Sequence, residues 1–155
     1  MKAFALILAA TLVAAPALAH NHAGDAVGDD HHKTDVHGLW LTEAGNATVR
    51  IGPCAEQPDT PCGIVASADI PEGEPTTDVN NRDESLRDQP IVGLTMLDGF
   101  QWSKSKWKRG RIYNPEDGKS YKSSIEVEPD APNVLKVKGC IGPLCQTQRW
   151  TRVAE

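Results

Sequence analysis

Tyr121-Lys122-Ser123-Ser124-Ile125-Glu126-Val127-Glu128, followed by Pro129-Asp130-Ala131-Pro132-Asn133 and then Leu135-Lys136-Val137-Lys138, decides the fold class. In the first run Tyr121, Ser123, Ile125 and Val127 alternate with Lys122, Ser124, Glu126 and Glu128. In the last, Leu135 and Val137 alternate with Lys136 and Lys138. A period of two sends successive side chains to opposite faces of a strand, so each run has one face for a core and one for water. The segment between them is a turn, because Pro presets φ while Asp and Asn tolerate tight backbone.

The same grammar extends outward. Val49 and Ile51 bracket Arg50, and Glu43-Ala44-Gly45-Asn46 and Asn114-Pro115-Glu116-Asp117-Gly118 are further turns. Strands are expected at 39–43, 47–52, 63–68, 91–97, 100–104, 107–113, 120–128 and 134–140, with a ninth at 146–153. No segment has an amphipathic helical period. The fold class is therefore all-β, an antiparallel meander closing into an eight- to nine-stranded barrel over residues 37–155. One connection is long. Asp69 to Gln89 carries Asp69, Glu72, Glu74, Asp78, Asp83, Glu84 and Asp88 against Arg82 and Arg87. It reads either as a lid or as a solvated loop with a short surface helix around Asp83 to Arg87. Lys104 to Arg111 is opposite in sign, with Lys104, Lys106, Lys108, Arg109 and Arg111 around Trp107. That stripe either binds an anion or a partner, or is a wet strand whose charges complement the acidic loop.

The chain's first residues point to export. Lys2 precedes an apolar run from Ala3 to Ala15, Pro16 breaks it, and Ala17-Leu18-Ala19 is a cleavage signature, so residues 1–19 read as a signal peptide. The run rises about 20 Å as a helix, short of a bilayer core of about 30 Å, so a membrane-spanning role is not expected. Residue 20 is His rather than Cys, which does not indicate a lipoprotein. Residues 20–36 form a Gly-, Asp- and His-rich tail expected to be disordered. All four cysteines, Cys54, Cys62, Cys140 and Cys145, follow this tail. An even count in an exported protein implies disulfides. Local pairing, Cys54–Cys62 and Cys140–Cys145, is expected, since each pair flanks a Pro-containing turn. A four-thiolate zinc site is disfavoured, because neither pair has C-x-x-C spacing. With 21 acidic against 16 basic side chains and a net charge of −5, nucleic acid is not an expected partner.

Gly38-Leu39-Trp40 looks like the opening of lipocalin-like and other calycin barrels. In barrels of that type an arginine from the last strand packs over the first-strand tryptophan, a favourable cation–π contact. Arg152 or Arg149 can serve Trp40 in this way, which makes Gly38, Trp40 and Arg152 structural residues. A longer pattern runs through Asp78-Val79-Asn80-Asn81, Pro90-Ile91-Val92-Gly93-Leu94, Gly110-Arg111-Ile112-Tyr113-Asn114-Pro115-Glu116-Asp117-Gly118-Lys119-Ser120-Tyr121, Leu135-Lys136-Val137-Lys138-Gly139 and Trp150-Thr151-Arg152. From about Val36 to Arg152 it resembles the exported bacterial family called domain of unknown function 2147. The resemblance implies a calycin- or lipocalin-like barrel in the periplasm and no established activity.

The chemistry of the barrel segment is sparse. There is no His after His37, and oxidised cysteines remove thiol nucleophiles, so Ser–His–Asp and Cys–His machinery is lacking. Phosphate-cradling glycine motifs are absent too. The leading expectation is a non-enzymatic periplasmic protein binding a small or amphipathic molecule in the barrel mouth. Trp102, Trp107, Tyr113 and Tyr121 are the wall candidates, joined by Asp78 and Asn80 on the loop, and no cofactor is required. The alternatives are an interaction module for a periplasmic protein using the charged surface, and an enzyme using loop carboxylates (Asp78, Asp83, Glu116, Asp117). Separately, cleavage after Ala19 exposes His20-Asn21-His22. A free amine, two backbone amides and the His22 imidazole suit square-planar Cu(II) or Ni(II). His31, His32 and His37 with Asp29, Asp30 and Asp35 are candidates for a second metal site.

Overall fold

The computed structural model describes residues 32, 33 and 35–154. The expected signal segment and the metal-ligand candidates His20, His22 and His31 lie outside the described residues. Nine strands follow one another: β1 (Gly38–Leu41), β2 (Ala47–Pro53), β3 (Pro61–Ala68), β4 (Thr95–Asp98), β5 (Gln101–Ser103), β6 (Lys106–Asn114), β7 (Lys119–Glu128), β8 (Ala131–Ile141) and β9 (Leu144–Arg152). Each pairs antiparallel with its neighbour in the order β4-β3-β2-β1-β9-β8-β7-β6-β5. A further pairing, Leu97 with Ile112 and Asp98 with Arg111, joins β4 to β6. Eight strands thus close on themselves, and β5 is an extra hairpin arm on β6. Closure removes the unpaired strand edges that an open sheet would expose. Among the described residues no helix is long and apolar enough to cross a membrane.

Antiparallel order sorts the connections between two ends. Residues 42–46, 69–94, 115–118 and 142–143 lie at one end, called upper here, and 54–60, 99–100, 104–105 and 129–130 at the other. The two disulfides divide likewise. Cys54–Cys62 clasps the lower β2–β3 turn, and Cys140–Cys145 clasps the upper β8–β9 hairpin. Each short closed loop restricts the unfolded chain by about 2 kcal/mol.

The lower half is filled. Trp40, Trp150, Phe100 and Trp107 are buried together with Leu97 and Leu135. Each ring withdraws roughly 150–250 Å² from water, about 4–6 kcal/mol of transfer free energy. Phe100 seats over Gly110, where any β-carbon would meet its ring. The chain entering β1 covers this end. The Trp107 Nε1–H donates to the Lys33 carbonyl at 3.0 Å and the Trp40 Nε1–H to the Val36 carbonyl at 2.9 Å. Val36, the final residue of the segment expected as tail, is buried in the core.

Of the two candidate arginines, Arg152 is the one over Trp40, its guanidinium carbon 4.1 Å from the ring centroid. It also donates to the carbonyls of His37 (2.7 Å) and Asp35 (2.6 Å). Gly38, at φ 135°, leaves room for it, since a β-carbon there would lie 2.5 Å from Nη1. Arg149 faces outward and pairs with Glu128 at 2.6 Å.

Strand β4 is shorter than the expected 91–97. Gly93 takes φ 98°, and its N–H donates to the Val65 carbonyl while the Val65 N–H donates to the Leu94 carbonyl. This reversal turns residues 91–94 back on β3, so regular pairing begins only at Thr95. The long connection contains one 3₁₀ turn, Glu84–Leu86, capped by Asp83 accepting from the Ser85 N–H. The basic stripe falls on β5–β6 at the lower end. Lys106 lies 3.6 Å from Glu126 on β7 and Arg111 2.9 Å from Asp98 on β4, so these two charges are answered by neighbouring strands.

Candidate ligand site at the barrel mouth

The inward faces of β8 and β9 change character from bottom to top. Their register pairs are Leu135 with Trp150, Val137 with Gln148, Gly139 with Gln146 and Ile141 with Leu144. The lowest pair is fully buried and the highest is exposed, Ile141 at 65% and Leu144 at 76%. At the middle level Gly110, Ser123, Gly139 and Gln146 stand in register across β6 to β9. Two glycines and a serine cannot fill a barrel of this width. Phe100 occupies the space at Gly110. Gly139 and Gln146 face a cavity of about 620 Å³, open at the upper end.

Ile112, Val137, Met96 and Trp150 supply its apolar wall, and Asn114, Gln146, Gln148 and Tyr121 its polar one. The β1–β2 turn (Thr42, Ala44, Asn46) and the β8–β9 hairpin (Ile141, Leu144) form its rim. Among the described residues no Lys, Arg or His lines it, and Glu116 is its one carboxylate. Gln148 accepts a hydrogen bond from Trp150 Nε1–H at 2.8 Å. The Ser123 hydroxyl is buried without a hydrogen-bond partner among the described residues.

The long loop is pinned to Tyr113 and to the β6–β7 turn beside this mouth. Asp78 is wholly buried. The Tyr113 hydroxyl donates to its two carboxyl oxygens at 2.8 and 2.7 Å, and the Asn81 side-chain amide donates to one of them at 2.7 Å. These donors answer the cost of burying a carboxyl group away from water. The Asn80 amide reaches the carbonyls of Pro115 (3.2 Å) and Glu116 (3.1 Å) in the β6–β7 turn. Gly118 completes the fit at φ 64°, since a β-carbon there would clash with the Asn80 carbonyl oxygen. The Asp78–Asn81 block and the Tyr113–Tyr121 block, far apart in sequence, are thus one tertiary unit. Tyr121 donates to Asp117 within that unit.

Both phenols hold their protons more firmly than usual. Burial is the first cause for Tyr113 and its bond to Asp78 the second. For Tyr121 the bond to Asp117 leads, partly opposed by the charge of Arg82. A smaller space of about 230 Å³ lies between the loop and β4–β6, touching Asp78, Leu86 and Arg111.

The candidates from sequence therefore fall in three places. Tyr113 and Tyr121 line the cavity. Asp78 and Asn80 hold the loop on the turn. Trp102 and Trp107 sit at the lower end, edge to face at 5.3 Å, where the bulge after Trp107 directs the indole into the core, and they do not line the cavity. Of the loop and turn carboxylates, Asp83 caps the 3₁₀ turn, Asp78 and Asp117 hold tyrosines, and Glu116 is exposed at the rim. His32 meets Asp35 at 3.2 Å, and the described residues contain no cluster of three potential metal ligands. Gly139, Gln146, Gln148, Ile141 and Leu144 were not among the sequence candidates. Their signal was present as parity with Trp150 on β9 and with Leu135 and Val137 on β8.

Residues 38–152 match the family described as "Uncharacterized protein conserved in bacteria (DUF2147)". No curated protein matches the sequence. Among solved structures, protein HP1028 from Helicobacter pylori, described as belonging to the lipocalin family, superposes with a TM-score of 0.63 at 19% identity, over 77% of this chain and 83% of that one. That likeness is one of fold.

Proposed function

The chain belongs to this DUF2147 family of uncharacterized bacterial proteins, and we propose that it is a non-enzymatic periplasmic protein holding a small or amphipathic molecule in its barrel mouth. One observation carries the reading: a barrel packed solid below and left with about 620 Å³ of half-apolar space above. Eight-stranded barrels are able to fill their interiors, and interiors generally pack densely. A volume of this size instead matches small-molecule pockets, which span roughly 300–1,000 Å³. Two disulfides fit an oxidising compartment, in line with the leader-like residues 1–19. With the long loop pinned by Asp78 and Asn80, the route in passes between the β1–β2 turn and the Ile141–Leu144 hairpin.

The test is native mass spectrometry of the protein purified from a periplasm, beside a denatured control. Extra mass in the native spectrum alone is the expected result, and its value begins to identify the occupant. A bare protein mass moves the conclusion to the alternative, an interaction module using the charged surface. The denatured mass also reports whether cleavage follows Ala19. If it does, His20-Asn21-His22 supports a second reading, a tail site for Cu(II) or Ni(II). One equivalent of Cu(II) at neutral pH is then expected to raise a visible d–d band, and a colourless titration ends that reading.

A further inference from the structure

The cavity's lining selects among ligand charges. We infer that it takes an uncharged amphipathic molecule, an apolar body bearing hydroxyl, ether, ester or amide groups, and discriminates against carboxylates of the same chain length. The inference rests on the binding function proposed above. Its grounds are the residues that line the mouth. The polar wall offers carboxamides and hydroxyls, from Asn114, Gln146, Gln148 and Tyr121. These groups donate and accept in turn and so suit neutral partners.

No such provision exists for an anion. A carboxylate carried into this space sheds its hydration and meets no lysine, arginine or histidine among the described lining residues. Glu116 at the rim opposes its approach. Arg82 acts on Tyr121, which is bonded to Asp117, and it does not line the cavity. The rim completes the selection. Ile141 and Leu144, held by the Cys140–Cys145 clasp, present an apolar edge to a ligand's body.

The experiment uses the mature protein with N-phenyl-1-naphthylamine, an uncharged fluorophore, as reporter of occupancy. Decanol, decanoate and decyltrimethylammonium are competitors of equal chain length at pH 7.5. Gly139→Leu fills the cavity, because a β-carbon there meets only Ile112 at 3.5 Å. Gln146→Trp is the second filling variant, at an exposed wall position. Gln146→Lys supplies the missing cation. The expected result is reporter binding that either filling variant abolishes, and displacement by decanol at concentrations at least about tenfold below decanoate. Gln146→Lys should narrow that gap about tenfold by improving decanoate alone. Decanoate or the ammonium displacing the reporter as well as decanol does overturns the inference and leaves the cavity as a binding site. An unchanged decanoate constant in Gln146→Lys also overturns it. Absent reporter binding, or binding indifferent to both filling variants, overturns the binding function itself and this inference with it.

Discussion

Tyr113 and Tyr121 are the chain's two tyrosines, and each sits on a carboxyl group of its own. A phenol donating to a carboxyl oxygen keeps its proton, because the phenolate would face a second negative group at close range. For Tyr113 burial adds the larger part. Both folded-state values are raised above the unfolded value of about 10. The stability they contribute is therefore fully present below about pH 10 and is lost as pH rises through the folded-state values. Absorbance at 295 nm is expected to show neither tyrosine half-ionised at pH 10 while the protein stays folded. Unfolding should ease progressively above that pH. A titration midpoint at the ordinary phenol value would contradict the hydrogen bonds to Asp78 and Asp117.

At the scale of elements, the docking of the long loop onto the β6–β7 turn governs the upper end. Its tightest point is Gly118 against the Asn80 carbonyl. Gly118→Ala forces a β-carbon into backbone that cannot retreat without lifting the loop. It also places alanine at φ 64°, a penalty of roughly 1–2 kcal/mol by itself. Gly45→Ala is the control. Gly45 has φ 73° with nothing within 4 Å of the added carbon, so it incurs the backbone penalty alone. Urea unfolding and limited proteolysis are expected to separate the two. Gly118→Ala should lose more stability and open residues 69–94 to cleavage, whereas Gly45→Ala should leave the loop protected. Equal behaviour would mean that the loop is not held by this contact. The turn itself was legible in Asn114-Pro115-Glu116-Asp117-Gly118. Its partner was not, because a hydrogen bond from Asn80 to carbonyls 35 and 36 residues away leaves no periodic trace.

At the scale of the whole molecule, Arg152 joins the first and last strands of the barrel. It stacks on Trp40 from β1 while lying on β9, and it binds two carbonyls of the strap that covers the lower end. Arg152→Gln is expected to cost about 1–3 kcal/mol in urea unfolding, from charge-assisted hydrogen bonds and the cation–π contact. Arg149→Gln on the same strand removes an exposed ion pair with Glu128 and should cost less than about 1 kcal/mol. Comparable losses in the two variants would refute a latch specific to Arg152. Closure also explains why strand number was not decidable from pattern alone. β5 has the composition of a strand, yet β4 reaches past it to pair with β6, and only that long-range pairing excludes β5 from the ring.

Residue order was enough for the all-β class, the positions of most strands, both disulfide loops and the arginine–tryptophan pairing as one of two options. The first three rest on period-two alternation, turn chemistry and short spacing, which are local, and the last on the resemblance to calycin barrels. The tertiary structure alone decided where the interior is full and where it is empty. Trp102 and Trp107 have the composition of a binding wall but lie at the lower end. The cavity exists because Met96, Ile112, Tyr121, Gly139 and Gln146, on five different strands, face one space. That coincidence depends on register, and register is set by the pairing of strands, bulges included, rather than by any one strand's own residues.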